Sequence, residues 1–258
     1  MHAKLIIINQ GMSILLEKAN WSAPKKVRAF TTTIHGGVST GVYASMNLGD
    51  HVNDDVASVK KNRQIIKEHL SLPAEPVWLN QIHGVKVVPA DDQSKKKCTA
   101  DGSYTSKPDV VCAVLTADCL PLFLSTTDGD RVAVVHAGWR GLADGIIEQG
   151  VNAFGCASEK VIAWAGPCIG PDSFEIGDEV RQELGGSDSA YKPSINTTKT
   201  NQKWLADLYQ LAAERLSNIG VENYTHSNVC TFKNKDYFSY RRTGQCGRMA
   251  SFIWIDAD

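Results

Sequence analysis

The sequence predicts an α+β (mixed α/β) fold carried by one large domain, and three observations predict it. Runs of Val, Ile, Leu and Thr that read as strands dominate the middle of the chain, and two pairs of them are close enough to be hairpins. Helical periodicity occurs in scattered segments without regular βαβ alternation, which argues against a doubly wound sheet. A length of 258 residues with 43% hydrophobic and 21% charged side chains supplies apolar surface for a full core, which excludes disorder and fibrous repeats. No Rossmann fingerprint, P-loop, interdomain linker or internal repeat is present.

The elements follow in order. Residues 1–11 precede a second methionine, Met12, and read as an upstream extension or a short edge strand. On that basis residues 1–26 are set apart from a main domain at 27–258. Val27 to Ile34 is rich in Thr and Val and stops at His35-Gly36-Gly37, so it reads as a strand and turn. From Asp54 to Leu70, Val56, Val59, Ile66 and Leu70 fall at helical spacing, with Asn53 or Asp54 as cap and Leu72-Pro73 as stop. Strands are expected at Val77 to Ile82, Val85 to Pro89, Val110 to Leu115, Leu120 to Leu124 and Val132 to Val135, with a hairpin turn at Asp128-Gly129-Asp130.

A helix is expected from Leu142 to about Phe154, ended by Gly155, and then a buried strand from Val161 to Ala165. The best-patterned helix is Trp204 to Leu216, with Trp204, Leu208, Leu211, Ala212 and Leu216 on one face. Tyr237 to Arg241 and Ser251 to Ile255 read as closing strands. Lys95 to Lys97 and Gly185 to Gln202 read as loops.

Charge and cysteines narrow the class. Lysines and arginines (27) nearly cancel aspartates and glutamates (28), so no global field draws the chain to nucleic acid or to anionic membrane. The longest apolar run near the N-terminus, Leu5 to Ile8, is too short for a signal-peptide core or a spanning helix, and a cytoplasmic protein is expected. The seven cysteines are odd in number and contain no C-x-x-C pair, which argues against a disulfide framework and a zinc ribbon.

Three residues stand at predicted strand ends beside small or turn-forming neighbours: His83 in Asn80-Gln81-Ile82-His83-Gly84, Cys119 in Asp118-Cys119-Leu120-Pro121, and His136 in His136-Ala137-Gly138. Two imidazoles and a thiolate are suitable zinc ligands, and three ligands leave a fourth position open. The same residues also read as a buried thiol with two hydrogen-bonded core histidines, or as a Cys119 nucleophile with a histidine base and Asp118 as orienter. Gly37-Val38-Ser39-Thr40-Gly41 fits the serine-hydrolase elbow, but no helical face follows it. Arg28, Arg63, Arg140 and the Arg241-Arg242 pair are candidate phosphate holders. Gly166 to Pro171 reads as a pocket wall.

Taken together, the motifs resemble those of the YfiH-type, laccase-domain family, described as zinc-dependent purine nucleoside phosphorylases and as peptidoglycan editing factors. The matching stretches are Thr33 to Ser39, Met46-Asn47-Leu48-Gly49, Asn62-Arg63, Val77 to Gly84, Thr116 to Pro121, His136 to Leu142, Gly166-Pro167 with Ile169-Gly170-Pro171, and Phe238 to Arg242. The resemblance covers about residues 27 to 255. It implies a single domain of packed mixed sheets flanked by helices, with His83, Cys119 and His136 as zinc ligands. Asn47, Arg63 and Asp118 also fall in matching motifs, so Cys119, Asp118 and Arg63 are the catalytic candidates, and Asn47 and Arg63, together with Arg28 from the arginine reading above, are the substrate-binding candidates.

The implied activity is phosphorolysis of adenosine, inosine, guanosine and methylthioadenosine, with deamination of adenosine as a companion reaction. In deamination zinc activates water for attack on the purine while Asp118 moves protons; in phosphorolysis Arg63 holds phosphate. The partners expected are purine nucleosides and phosphate, with neither nucleic acid nor membrane, and a monomer or weak oligomer. Two rival readings remain: a hydrolase removing L-serine from UDP-N-acetylmuramoyl-L-serine, and a nucleoside-binding regulatory module. A four-copper oxidase is disfavoured, because the seven histidines include no H-x-H pair.

Overall fold

The computed structural model describes residues 4–9, 12–92, 98–198 and 200–257. Two large sheets stack face to face with helices on both outer sides, which is the mixed α+β arrangement expected. The first sheet has the order β1 (Lys4–Asn9), β2 (Met12–Lys18), β3 (Val27–Thr32), β14 (Met249–Ile255) and β6 (Cys112–Thr116), antiparallel throughout. The second has the order β13 (Asn223–His226), β9 (Val161–Ala165), β7 (Leu120–Thr126), β8 (Val132–Ala137), β5 (Gly102–Thr105) and β4 (Val87–Pro89). Its two outer pairs, β13 with β9 and β4 with β5, are parallel, and its inner pairs are antiparallel. A three-stranded antiparallel sheet, β10 (Glu175–Gly177), β12 (Lys203–Ala206) and β11 (Tyr191–Pro193), completes the molecule.

Period-two alternation explains how both faces of the central strands are filled. In β14, Ala250, Phe252 and Trp254 face a core that includes Ile65 and Ile66 of α1 (Val56–His69), while Ile253 and Ile255 face the other sheet. In β7, Phe123 enters the layer between the sheets, while Leu120, Leu122 and Leu124 point outward. That outer side is covered by Leu142 of α2 (Trp139–Asp144), Ile146, Ile147 and Val151 of α3 (Ile146–Asn152), and Leu208, Leu211 and Leu216 of α5 (Leu208–Asn218). Among the described residues no helix is long and apolar enough to cross a membrane.

Several expected elements differ, each for a local reason. Val77 to Ile82 forms isolated bridges at Val77 and Asn80 and no strand. The Gln81 side chain takes the place of a ladder there, accepting from Leu115 N at 2.7 Å and donating to Leu115 O at 2.9 Å. The helix expected from Leu142 to Phe154 begins at Trp139 and is broken at Gly145, whose φ of +99° lies in the left-handed region open to glycine. The helix expected from Trp204 begins at Leu208, because Asp207 accepts from Tyr209 N and Gln210 N as its N-cap. Trp204 therefore belongs to β12.

Asp55, not Asn53 or Asp54, caps α1 through Ser58 N. Tyr237 to Arg241 is not a strand; Ser239 caps the short α6 (Tyr240–Thr243). The short α4 (Asp178–Leu184) lies before the loop at 185–202, which contains β11. Lys95 to Lys97 lie outside the described residues. β1 and β2 pair antiparallel at the edge of the first sheet.

Candidate metal centre

Three neighbouring strands of the second sheet bring the site together. Cys119 immediately precedes β7, His136 lies near the end of β8 opposite Pro121, and Asp101 immediately precedes β5. Their common end is where His83 enters from the loop before β4. One ligand atom from each of His83, Cys119 and His136 lies within 4.8 Å of the others. Cys119 Sγ stands 3.9 Å from His83 Nε2, and the two imidazole centroids are 4.7 Å apart with the rings at 73°.

Asp101 organises this group. Its buried carboxylate accepts from His136 Nδ1 at 2.9 Å, which leaves Nε2 for a ligand. It also accepts from the backbone N–H groups of Ile82, His83 and Gly84 at 3.1, 2.9 and 2.8 Å. Those bonds hold His83 at φ +61°, a conformation that costs a non-glycine residue about 1–3 kcal/mol unless its surroundings impose it. The next layer is equally tight. A Cβ at Gly138 would come within 2.5 Å of His83 Cδ2 and 3.3 Å of Cys119 Sγ, so glycine is required for the chain to pass under the ligands.

The electrostatics match a metal-binding donor set. Burial by itself would raise the Cys119 thiol, but the His136 imidazolium and hydrogen bonds from both histidines outweigh it and bring the pKa down to about 6. Burial would lower His136, yet the Cys119 thiolate and the Asp101 carboxylate hold it up at about 9. Burial opposes ionisation of Asp101 too, and is overcome by His136 and the backbone donors, which hold its carboxyl below the usual range. A thiolate and two imidazoles, one oriented by a carboxylate, fit a borderline-soft divalent metal with a position left open.

Two cavities flank the triad and share His83, Ala117, Cys119 and Tyr240. The first, about 300 Å³, is walled by Trp139, Ile169, Phe174 and Leu208, with Asp118, Arg140 and Arg241 at its polar side. The second, about 370 Å³, is lined by His51, Gln81, Leu115, Thr116, His136 and Arg248.

Of the remaining sequence candidates, Asp118 lines the first cavity, and Arg63, Asn47 and Arg28 are among the lining residues of neither. Arg63 Nε and Nη2 donate to Leu48 O at 3.1 and 2.9 Å, the guanidinium lies 3.9 Å from the Trp78 ring centroid, and Asp50 is 3.5 Å away. Asn47 is fully buried; its Oδ1 accepts from Gly49 N and Arg248 N, and its Nδ2 donates to Gly49 O and Asp54. Both residues thus shape the 47–51 loop, and that loop delivers His51 to the second cavity. The Asp118 carboxylate accepts from Thr231 Oγ1, Ser239 Oγ and Arg241 N, so it ties two distant segments to the residue before Cys119 and does not stand free to carry protons.

Arg28 lies elsewhere: it pairs with Asp256 at 3.1 Å and sits opposite Trp254. Met249, opposite Thr116, marks the site end of the same strand, about 17 Å away at strand rise. Ser39 of the hydrolase-like motif is buried, bonded to Asp54 and Asn62, and followed by a single short turn. Sequence reasoning missed Asp101, His51, Arg248 and Phe174. Asp101 precedes β5, a strand that the sequence reading did not expect, so its place at a strand start carried no signal.

Fold and site define an α+β protein with a three-donor Cys/His group able to hold a metal, open to two cavities. The chain belongs to the laccase-like family, whose model, described as multi-copper polyphenol oxidoreductase laccase, matches residues 28–256. The purine nucleoside phosphorylase of Haemophilus influenzae is 45% identical over 239 residues, spanning 92% of this chain and 98% of that protein. The purine nucleoside phosphorylase YfiH of Escherichia coli is 45% identical over 236 residues, spanning 91% and 96%. Among solved structures, a Neisseria meningitidis protein of family model DUF152 superposes with a TM-score of 0.87 at 40% identity, covering 94% of this chain and 99% of that one. YlmD from Geobacillus stearothermophilus gives a TM-score of 0.84 at 29% identity, covering 97% and 99%. The family's copper description implies several clustered ligands, whereas among the described residues His83, Cys119 and His136 form the one group able to hold a metal.

Proposed function

We propose that this protein is a zinc-dependent purine nucleoside phosphorylase acting on adenosine, inosine, guanosine and methylthioadenosine, with adenosine deamination as a second reaction. The observation that carries the reading is the position of the triad between an aromatic-walled cavity and a second, more polar one. The names of the relatives support it. The walls formed by Trp139, Phe174, Ile169 and Leu208 suit a planar purine, and a volume near 300 Å³ is at the small-molecule end of ligand cavities.

His83, Cys119 and His136 would hold zinc, and the bound metal would supply Lewis-acid stabilisation of charge developing on the base or sugar. The chain's own residues do the rest. Trp139 and Phe174 hold the base, and Asp101 fixes the ring of His136 and the backbone of His83. Asp118 positions Arg241 at the rim of the first cavity, and Arg63 and Asn47 position the loop that carries His51. Asp118 and Arg63 are positioning residues in this reading.

The test is to measure bound metal in the purified protein and then follow inosine or adenosine with phosphate by chromatography. Ribose 1-phosphate is the expected product, and inosine formed from adenosine reports deamination. No ribose 1-phosphate from zinc-loaded protein, or full activity in Cys119→Ala, overturns the reading. A parallel incubation with UDP-N-acetylmuramoyl-L-serine tests the editing hydrolase through release of serine. Tight nucleoside binding without any product points to the regulatory module.

A further inference from the structure

We propose that the second cavity is the phosphate subsite, built by Arg248, Thr116 and His51; this rests on the phosphorylase reading above. Thr116 lines the cavity and is 2% exposed, yet its Oγ1 has no hydrogen-bond partner among the described residues. The Oγ1 atom is itself buried, so a turn about χ1 of Thr116 would present this unpartnered hydroxyl to a ligand oxygen in the cavity.

Arg248 supplies the charge. Its Nη1 donates to Cys246 O and Gly247 O at 2.9 and 3.1 Å, which fixes the guanidinium, while Nε and Nη2 have no acceptor among the described residues. Asn47 Oδ1 holds the Arg248 backbone N–H at 2.8 Å. Two free, pre-oriented N–H groups on a rigid guanidinium suit the paired oxygens of a phosphate.

His51 adds a further donor, half-exposed and 3.7 Å from Asp50. Among the described residues no carboxylate lines this cavity, whereas Asp118 lines the first. Gln81 is consumed on both sides by Leu115 and contributes a neutral wall. The first cavity's arginines share it with the Asp118 carboxylate and aromatic walls: Arg140 lies 4.2 Å from the Trp139 ring centroid, and Arg241, which like Arg248 spends Nη1 on a backbone oxygen, lies 5.4 Å from the Phe174 ring centroid. The aromatic-walled cavity therefore takes the base, and the second, which no carboxylate lines, takes the anion that attacks the sugar.

Calorimetric titration of the zinc-loaded, full-length protein with inorganic phosphate, without nucleoside, tests the assignment. Arg248→Gln is expected to weaken phosphate about tenfold or more and Thr116→Val several-fold, with bound zinc, melting temperature and inosine affinity unchanged. Arg140→Gln is expected to leave phosphate affinity within about twofold. Arg248→Lys, which keeps the charge and loses the fork, separates a charge effect from a folding defect by giving intermediate affinity.

Wild-type phosphate binding retained in Arg248→Gln and Thr116→Val, loss of binding in Arg140→Gln, or no binding by the wild type overturns the subsite. If phosphate binds through Arg248 but ribose 1-phosphate never forms, the subsite stands and the phosphorylase reading fails. If phosphorolysis proceeds in Arg248→Gln with an unchanged KM for phosphate, the reading stands and the subsite fails.

Discussion

Asp101 Oδ1 lies 2.9 Å from His136 Nδ1, and the same oxygen lies 2.9 Å from the backbone nitrogen of His83. One carboxylate thus orients two of the three metal-ligand candidates, one through its ring and the other through its main chain. A metal bound there would inherit both constraints.

Asp101→Asn keeps one acceptor oxygen and replaces the other with an NH2 group that cannot accept, which loses either the bonds from Ile82 N and Gly84 N or those from His83 N and His136 Nδ1. Zinc affinity is expected to fall about 10–100-fold, the usual effect of losing a carboxylate behind a ligating histidine. Competition with a chromogenic chelator measures it, and an unchanged dissociation constant refutes the orienting role.

Zinc uptake should release protons. With Cys119 at about 6 and His136 at about 9, the metal-free pair holds one proton on His136 between those values, and that proton must leave when the imidazole ligates. Raising pH toward 9 therefore strengthens binding, and lowering it through 6 adds the cost of deprotonating the thiol. Titrations in buffers of different ionisation heat should give about one proton per zinc near pH 7.5 and more below pH 6. A count near zero at the higher pH contradicts the thiolate–imidazolium pair.

Gly138→Ala places a methyl 2.5 Å from His83 Cδ2. The ring must turn away from Cys119, so zinc affinity is expected to fall about tenfold or more while the fold survives. Circular dichroism together with metal analysis checks both halves, and full zinc occupancy at low free metal counts against the close approach.

Arg63→Lys removes the paired donation to Leu48 O and the stacking on Trp78. A loss of about 1–3 kcal/mol in denaturant unfolding is expected, with the KM for phosphate moving less than in Arg248→Gln. Unaltered stability accompanied by a large rise in phosphate KM would return Arg63 to the anion site.

Much of this architecture is legible because both faces of its strands are buried. β7, β8, β9 and β14 read as short apolar runs, and the turn at Asp128-Gly129-Asp130 joins β7 to β8 as expected. Elements failed where a side chain replaced a backbone ladder or cut across a pattern. Gln81 mimics a neighbouring strand, so Val77 to Ile82 has strand-like composition without strand pairing. Trp204 shares the helical period of Leu208 and Leu211, yet the Asp207 cap separates it from them.

The triad was visible because His83, Cys119 and His136 each sit at a strand end beside small residues. Asp101 was not, because its partners are mostly main-chain N–H groups, which leave no pattern in sequence. Arg63 and Asn47 lie in distinctive motifs, but their bonds go to loop carbonyls and amides, so the motif marks a scaffold around the cavity.

β14 is hydrogen-bonded on one side to β3 and on the other to β6. A ribosome delivers β3 and β6 well before β14, so a nascent chain holds two strands whose facing edges have no common neighbour until residues 249–255 are made. The same strand begins beside Thr116 and directly after Arg248. The two sides of the second cavity thus meet only when β14 docks between β3 and β6, so that cavity is assembled after residues 249–255 have been made.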